Sequence, residues 1–187
     1  YIFKKNDQSF NFQSNFILDA ISLKKQDFIN VFFPSANENI NLKNQKLNIK
    51  YNNKKLSLAG EGKIKVDEEF ESIKYLISTN DKKINFDLDL NLDKTDFEVK
   101  FFNYKKNNKI DTQLKIDGYY EKDKNLSLNN LTILEDKNKI EVSNLILNKN
   151  NSIINVDYIE FDYLDTENKL NKYSIKRINK NDYDIIG

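Results

Sequence analysis

LSLNNLTILEDKNKIEVSNLILNKNNSIINVDYIEF, residues 126–161, holds one apolar pattern three times at a spacing of 14 residues. Leu126, Leu128, Leu131 and Ile133 form the first copy. Ile140, Val142, Leu145 and Leu147 form the second, and Ile154, Val156, Ile159 and Phe161 the third. Within each copy the offsets are 0, 2, 5 and 7. A helix that buries one face wants apolar residues at offsets of about 0, 3, 4 and 7. At about 100° per residue, offsets 2 and 5 fall roughly 200° and 140° from the first residue, on the wrong side of a helix. A strand keeps residues two apart on one face. The single step of three is absorbed if one extra residue is pushed out of the ladder as a β-bulge. The bulges are expected at Asn129-Asn130, Ser143-Asn144 and Asp157-Tyr158, leaving all four apolar residues of each copy on one face. A hairpin turn at these points is the rival reading, but Asp157-Tyr158 is a poor two-residue turn. Each half-strand would also be only about three residues long.

A 14-residue period leaves a strand roughly 27–30 Å long, at about 3.3 Å per residue, and a short turn. The turns Glu135–Lys139 and Lys149–Ser152 are short enough to make successive strands antiparallel neighbours. The product is a meander with one apolar and one charged face. The following period, Asn168, Leu170, Tyr173 and Ile175, keeps three of the four apolar positions, and the preceding one fails at Asp117.

Alternation extends through most of the chain. Ile84, Phe86, Leu88, Leu90 and Leu92, interleaved with Asn85, Asp87, Asp89 and Asn91, make the clearest single strand. Phe97, Val99 and Phe101 read as its successor, followed by Ile110, Leu114, Ile116 and Tyr119. Upstream, Ile40 and Leu42 read as one short strand and Leu47, Ile49 and Tyr51 as another. Gly60 and Gly62 mark a bulge or bend between Leu58 and Ile64. Residues 67–77 fit either a helix capped by Asp67 or a strand with Ile73, Tyr75 and Ile77 on one face, and the strand is favoured. Residues 22–33 are the least strand-like, with a short amphipathic helix expected there and stopped by Pro34. The fold class expected is therefore all-β with a minor helix: an extended antiparallel meander of about a dozen strands, curled into an open groove.

Composition narrows the chemistry. Among 187 residues there is no Cys, His, Met or Trp. Disulfides, thiolate metal sites and the usual general base are therefore absent, and Ser-His-Asp or Cys-His catalysis is impossible. The net charge of +1 gives no field for nucleic acid. Asp87 and Asp89 lie on one strand face and could form an acid/base or metal pair, but alternation with leucines makes them the solvated side of an amphipathic strand. The lysine pairs Lys4-Lys5, Lys24-Lys25, Lys54-Lys55 and Lys105-Lys106 could meet phosphates; the plainer reading is that they keep turns and edges soluble. No catalytic residue, metal or cofactor is expected, and the chain is not expected to be an enzyme. Beginning on Tyr and ending on Ile-Ile-Gly, residues 1–187 read as a single segment of a longer protein.

A one-faced meander must hide its apolar face. It can do so in a closed barrel or sandwich with its own core, or as a trough filled by something unspecific and apolar such as acyl chains. The repeat residues above, together with Phe86, Leu88 and Leu90, are the expected lining. The run Leu126-Ser127-Leu128-Asn129-Asn130-Leu131-Thr132-Ile133, its two successors and the ending Tyr183-Asp184-Ile185-Ile186-Gly187 resemble segments of the AsmA-like superfamily. Within it, the likeness is to the large YhdP/TamB-type proteins and runs from about Gly60 to Gly187. The resemblance implies a periplasm-spanning β-groove with an inner-membrane anchor outside these residues, in a Gram-negative bacterium. It implies that the groove holds phospholipid acyl chains, adjoins neighbouring repeats of the same chain, and moves lipid between inner and outer membranes. It carries no catalytic residues. A closed β-sandwich acting in surface binding or adhesion, and a lipopolysaccharide bridge, remain the alternatives.

Overall fold

Alternating apolar residues separated by polar turns produce fifteen strands among the described residues of the computed structural model. In chain order these are β1 (Lys4–Asn6), β2 (Ser9–Lys24), β3 (Asn39–Asn52), β4 (Lys55–Lys65), β5 (Phe70–Asn80), β6 (Lys83–Leu92), β7 (Glu98–Val99), β8 (Tyr104–Lys105), β9 (Thr112–Glu121), β10 (Asn125–Glu135), β11 (Asn138–Asn148), β12 (Ile153–Asn155), β13 (Tyr158–Leu164), β14 (Leu170–Arg177) and β15 (Tyr183–Ile186). The structure describes all residues except 1–3, 7–8, 26–28, 31, 34–35, 53, 67, 81, 96, 100–103, 107–109, 122–123, 165–168 and 181, and except the side chains of 4–6, 9–10 and 164.

Twelve of these strands form one antiparallel meander in the order β1-β2-β3-β4-β5-β6-β9-β10-β11-β13-β14-β15, with β12 paired to β11 beside it. The sheet is not closed into a barrel, and β1 and β15 are its edges. The strand β5 answers the helix-or-strand question at 67–77, with Ile73 and Tyr75 buried on one face.

The first two of the three expected bulges fall where the step of three requires them. In the β10–β11 ladder Leu128 pairs with Leu145 and Asn130 with Ser143, leaving Asn129 and Asn144 outside it. Asn144 has φ 53°, a left-handed geometry that Asn tolerates better than most residues. In the third copy the chain breaks at Val156-Asp157, between β12 and β13. Amides clasp the irregularities: Asn129 and Asn130 donate to Asp117 at 3.0 and 2.9 Å, and Asn144 donates to Asp157 at 3.0 Å. Asp117 breaks the preceding period for a physical reason. Its strand β9 runs without an extra residue, so Leu114, Ile116, Gly118 and Tyr120 share a face and Asp117 lies on the other.

Five expectations need correction. The residues Ile40–Tyr51 are not two strands but one, bulged at Asn44, which has φ 52°. Ile40, Leu42, Gln45 and Leu47 therefore repeat the 0-2-5-7 pattern, which the polar Gln45 had concealed. Gly60 and Gly62 mark neither a bulge nor a bend of β4 itself. The register shift lies in β3, between Lys43 and Lys46, and the glycines make room for side chains from its neighbours. A Cβ at Gly62 would overlap Gln45 Nε2 and stand 2.9 Å from the Asn44 carbonyl oxygen, and one at Gly60 would strike the tip of the Tyr75 ring.

The remaining three concern residues 22–33, strand β7 and the fourth period. Residues 22–24 are the end of β2 rather than helix, and Ile29–Asn30 make only a 3-10 turn; residues 26–28 and 31 lie outside the described set. Strand β7, with Val99, does not continue the meander. Strand β6 pairs directly with β9, and β7–β8 form a separate hairpin within the connection, while Phe101 is outside the described residues. The fourth period also differs, because β14 pairs with β13 without a skipped residue. Leu170 therefore faces away from Tyr173 and Ile175, and it is 53% exposed.

Candidate functional site: an apolar trough with one capped rim

One apolar cavity of about 240 Å³ touches Leu23 of β2, Leu42 of β3, Leu58 of β4, Ile77 of β5, Leu88 of β6, Ile116 of β9 and Leu126 of β10. Strands that are successive neighbours in a ladder can surround a single cavity only if the sheet curls around it. The apolar face is thus the inside of a trough. The cavity exceeds the apolar void of about 150 Å³ that stays dry and takes up benzene in another protein. Its one polar lining side chain is Tyr75. That hydroxyl donates to Gln45 Oε1 at 3.0 Å, and Gln45 Nε2 donates to the carbonyls of Lys43 and Lys63 at 3.0 and 2.8 Å. Burial raises the pKa of Tyr75 above the ordinary phenol value. The fully buried glutamine thus has partners on both ends of its amide, so the polar pair leaves the wall dry.

The other half of the curl is filled by protein. Leu114, Leu128, Leu131, Ile133, Leu145 and Leu147 are each no more than 1% exposed. Here the curvature needs a glycine. Gly118 lies opposite Leu128, and a Cβ on it would overlap the Ser127 carbonyl oxygen, which the bulge at Asn129 brings close.

Of the expected lining residues, Phe86, Leu88, Leu90 and Leu126 line the cavity. Leu128, Leu131, Ile133, Val142, Leu145, Leu147, Val156 and Ile159 are buried in the packed half, with Ile140 and Phe161 half-buried against them. Ile154 departs from the pattern: the β11–β12 ladder shifts there, and the side chain is 56% exposed. Sequence reasoning missed Leu58, Ile77, Phe32 and Phe33 as cavity walls. Alternation could have flagged the first two, but the aromatic pair lies in the segment expected to be helical.

One rim of the trough is capped. The segment after β2 and the connection carrying β7–β8 meet over it. Phe97 lies between Phe32 and Phe33, with ring centroids 6.2 and 5.5 Å away, and Tyr104 meets it edge-on at 6.0 Å. Glu98 N–H donates to the Phe32 carbonyl at 3.2 Å. Buried Glu71 ties the connection to β5, accepting from the Lys94 and Thr95 N–H groups at 2.7 and 2.9 Å and from the Thr95 hydroxyl at 3.1 Å. Burial pushes the Glu71 pKa up, but these donors and the Asp93 backbone outweigh it and hold the carboxyl below its ordinary value. Lysines at this rim serve the cap: Lys25 Nζ donates to the Ala36 carbonyl at 2.6 Å and Lys106 Nζ to that of Asp93 at 2.9 Å. The Tyr104 hydroxyl is raised above its usual pKa by burial and by the Glu135 carboxylate.

The opposite rim has no such cover among the described residues. Its inward row runs Phe12, Tyr51, Leu56, Thr79, Ile84, Tyr120 and Leu126. Leu56 and Ile84 are each 41% exposed there.

The outer face is a solvated ladder. Lys46, Glu61, Lys74, Asp89 and Lys115 pair successively across it with alternating charge, and Lys46 reaches Glu61 at 3.1 Å. Asp87 and Asp89 belong to this face, with Asp89 accepting from Gln113 at 2.9 Å. Among the described residues no group of three or more Asp or Glu side chains is placed to hold a metal ion, and no helix is long and apolar enough to cross a membrane. Comparison with protein-family models, with curated proteins and with solved structures finds no match.

Proposed function

We propose that the trough holds acyl chains, and that the chain is a non-enzymatic, lipid-carrying segment of a longer β-groove protein working between two membranes of a bacterial envelope. The observation that carries this reading is the 240 Å³ apolar cavity lined by residues from seven curled strands, with Tyr75 the one polar side chain in its wall. A sheet evolved only for a self-filled core would be expected to close such a void, since interiors pack to crystal-like density and each cavity costs stability. A lipid chain asks for little more than an elongated dry surface, and the walls supply that with no unpaired polar group aimed inward. The packed half at β9–β11 then acts as the stiff wall, and the β2–β6 half as the wall that meets ligand.

Benzophenone photo-crosslinking tests this. Probes at Leu58 and Leu88, on the cavity wall, are expected to acquire adducts of lipid mass when the protein is expressed in a double-membraned bacterium. A probe at Leu76, exposed on the outer face, should acquire none. Native circular dichroism with no lipid adduct at either cavity position would leave the cavity as an ordinary packing defect.

A further inference from the structure

The two rims differ in charge as well as in cover. Among the described residues, the turns at the uncapped rim, at 52–55, 80–83, 121–125 and 148–152, carry Lys54, Lys55, Lys82, Lys83, Lys124 and Lys149 against Glu121. The turns at the capped rim are mixed, with Glu68, Glu69, Glu135 and Asp136 set among Lys25, Lys94, Lys105, Lys106 and Lys137. The described lysines of the uncapped rim are all exposed. Two of them are engaged: Lys124 pairs with Glu121 at 2.6 Å, and Lys83 lies over the Tyr119 ring at 4.1 Å, drawn to the outer face. Glu121, flanked by Lys124, Lys83 and Lys82, is held below the ordinary carboxylate pKa, first by its hydrogen bond from Lys124. Lys54 and Lys55 have no carboxylate partner among the described residues.

This excess of positive charge coincides with the rim row in which Leu56 and Ile84 are each 41% exposed; at the capped end the cavity-lining Leu23, 44% exposed, also reaches solvent. Lys55 precedes Leu56 and Lys83 precedes Ile84, and these two apolar residues sit on the rim row just outside Leu58 and Phe86 of the cavity. At about 3.3 Å per residue, the lysine turns stand roughly 10 Å from the cavity wall at Leu58. A chain lying in the cavity would thus present its head at those lysines.

We infer that the uncapped rim is a headgroup site selecting anionic amphiphiles, with Lys54, Lys55 and Lys82 facing a phosphate or carboxylate whose chain occupies the trough. This rests on the trough reading above and names the ligand class for it. Phosphate is the shared chemistry of a lipid head and of the free ion; only the tethered form gains from the adjacent apolar cavity.

The test is displacement of the neutral fluorophore N-phenyl-1-naphthylamine by decyl phosphate, by decanol and by inorganic phosphate. Decyl phosphate should compete about tenfold better than decanol, the size expected for two or three exposed ion pairs. In K54E/K55E/K82E that ratio should fall to about one while decanol competition stays unchanged. The variant K94E/K105E/K137E, at the capped rim and with the same change of net charge, should keep the wild-type ratio. Equal competition by decyl phosphate and decanol in the wild type, or a ratio unmoved by the triple variant, overturns the headgroup site and leaves the trough standing. An equal drop in the capped-rim variant also overturns it, because net charge alone would then account for the preference. Displacement by inorganic phosphate alone overturns it in favour of a free-anion site. Failure of both alkyl compounds removes the trough reading, and this inference with it.

Discussion

Replacing Gly118 by Ala puts the bulge-and-glycine geometry under direct stress. A Cβ there would overlap the Ser127 carbonyl oxygen and stand 2.9 Å from Leu128 Cα, both backbone atoms. No rotamer change relieves that contact. Strand β10 is held in ladders on both sides, by β9 and by β11, and Leu128 is 1% exposed on the inner face. A shift of roughly 1 Å would break neighbouring hydrogen bonds worth about 1 kcal/mol each and add about 1–3 kcal/mol of overpacking. The expected loss is about 3–5 kcal/mol, a large share of a typical domain stability of about 5–15 kcal/mol. Urea unfolding followed by far-ultraviolet circular dichroism should show a midpoint lower by about 1–2 M with an unchanged slope. Gly60→Ala is the internal comparison. Its Cβ would meet only the tip of the Tyr75 side chain, which can swing, so the loss should be smaller, about 1–2 kcal/mol. A Gly118→Ala protein within about 1 kcal/mol of wild type, or less affected than Gly60→Ala, would refute the close approach of Ser127 and with it the placement of the bulge.

Asn144→Val should cost about 2 kcal/mol, because a β-branched residue is forced to φ 53° and the bond to Asp157 is lost, whereas Asn144→Gly should stay within about 1 kcal/mol; urea midpoints check both. Glu71 has a folded pKa below the ordinary carboxylate value of 4.5, so its contribution is present above that value and is lost as pH falls through the folded pKa. Glu71→Gln should lower stability at pH 7 by about 1.5–3 kcal/mol and flatten the acid limb of a pH–stability profile; an unchanged limb would contradict the role given to its donors. Tyr75→Phe should cost about 1–3 kcal/mol by removing the donor to buried Gln45 Oε1, measured by the same unfolding curves. Phe97→Ala, emptying a position 1% exposed between two other rings, should cost about 3–5 kcal/mol and raise hydrogen exchange selectively at the capped rim.

The meander and its bulges could be read from residues 126–161 because apolar parity there has no competing explanation. The same pattern in β3 was hidden by Gln45, a polar residue at an inward position; besides the Lys43 carbonyl of its own strand, its partners are the Lys63 carbonyl and the Tyr75 hydroxyl, from strands that no local window contains. The cap escaped for a related reason. Phe32, Phe33 and Phe97 are distant in sequence, and only the direct pairing of β6 with β9 turns the intervening residues into a flap that can reach the first two. Most of the regular repeat lies on the packed side of the curl. Alternation reports which side chains face inward, but whether they meet protein or empty space depends on how far the sheet curls. That is set by the glycines and bulges taken together. The result places the packed residues in β9–β11 and most of the cavity-lining ones in β2–β6.

Crystals grown with a fatty acid brominated near its methyl end would show directly what fills the curl. An anomalous bromine peak between Phe33, Ile77 and Phe86, inside the 240 Å³ cavity, is the result predicted for a trough that holds acyl chains. A cavity without bromine in crystals that carry the label elsewhere, for example beside Ile17 and Leu76 on the outer face, would contradict it.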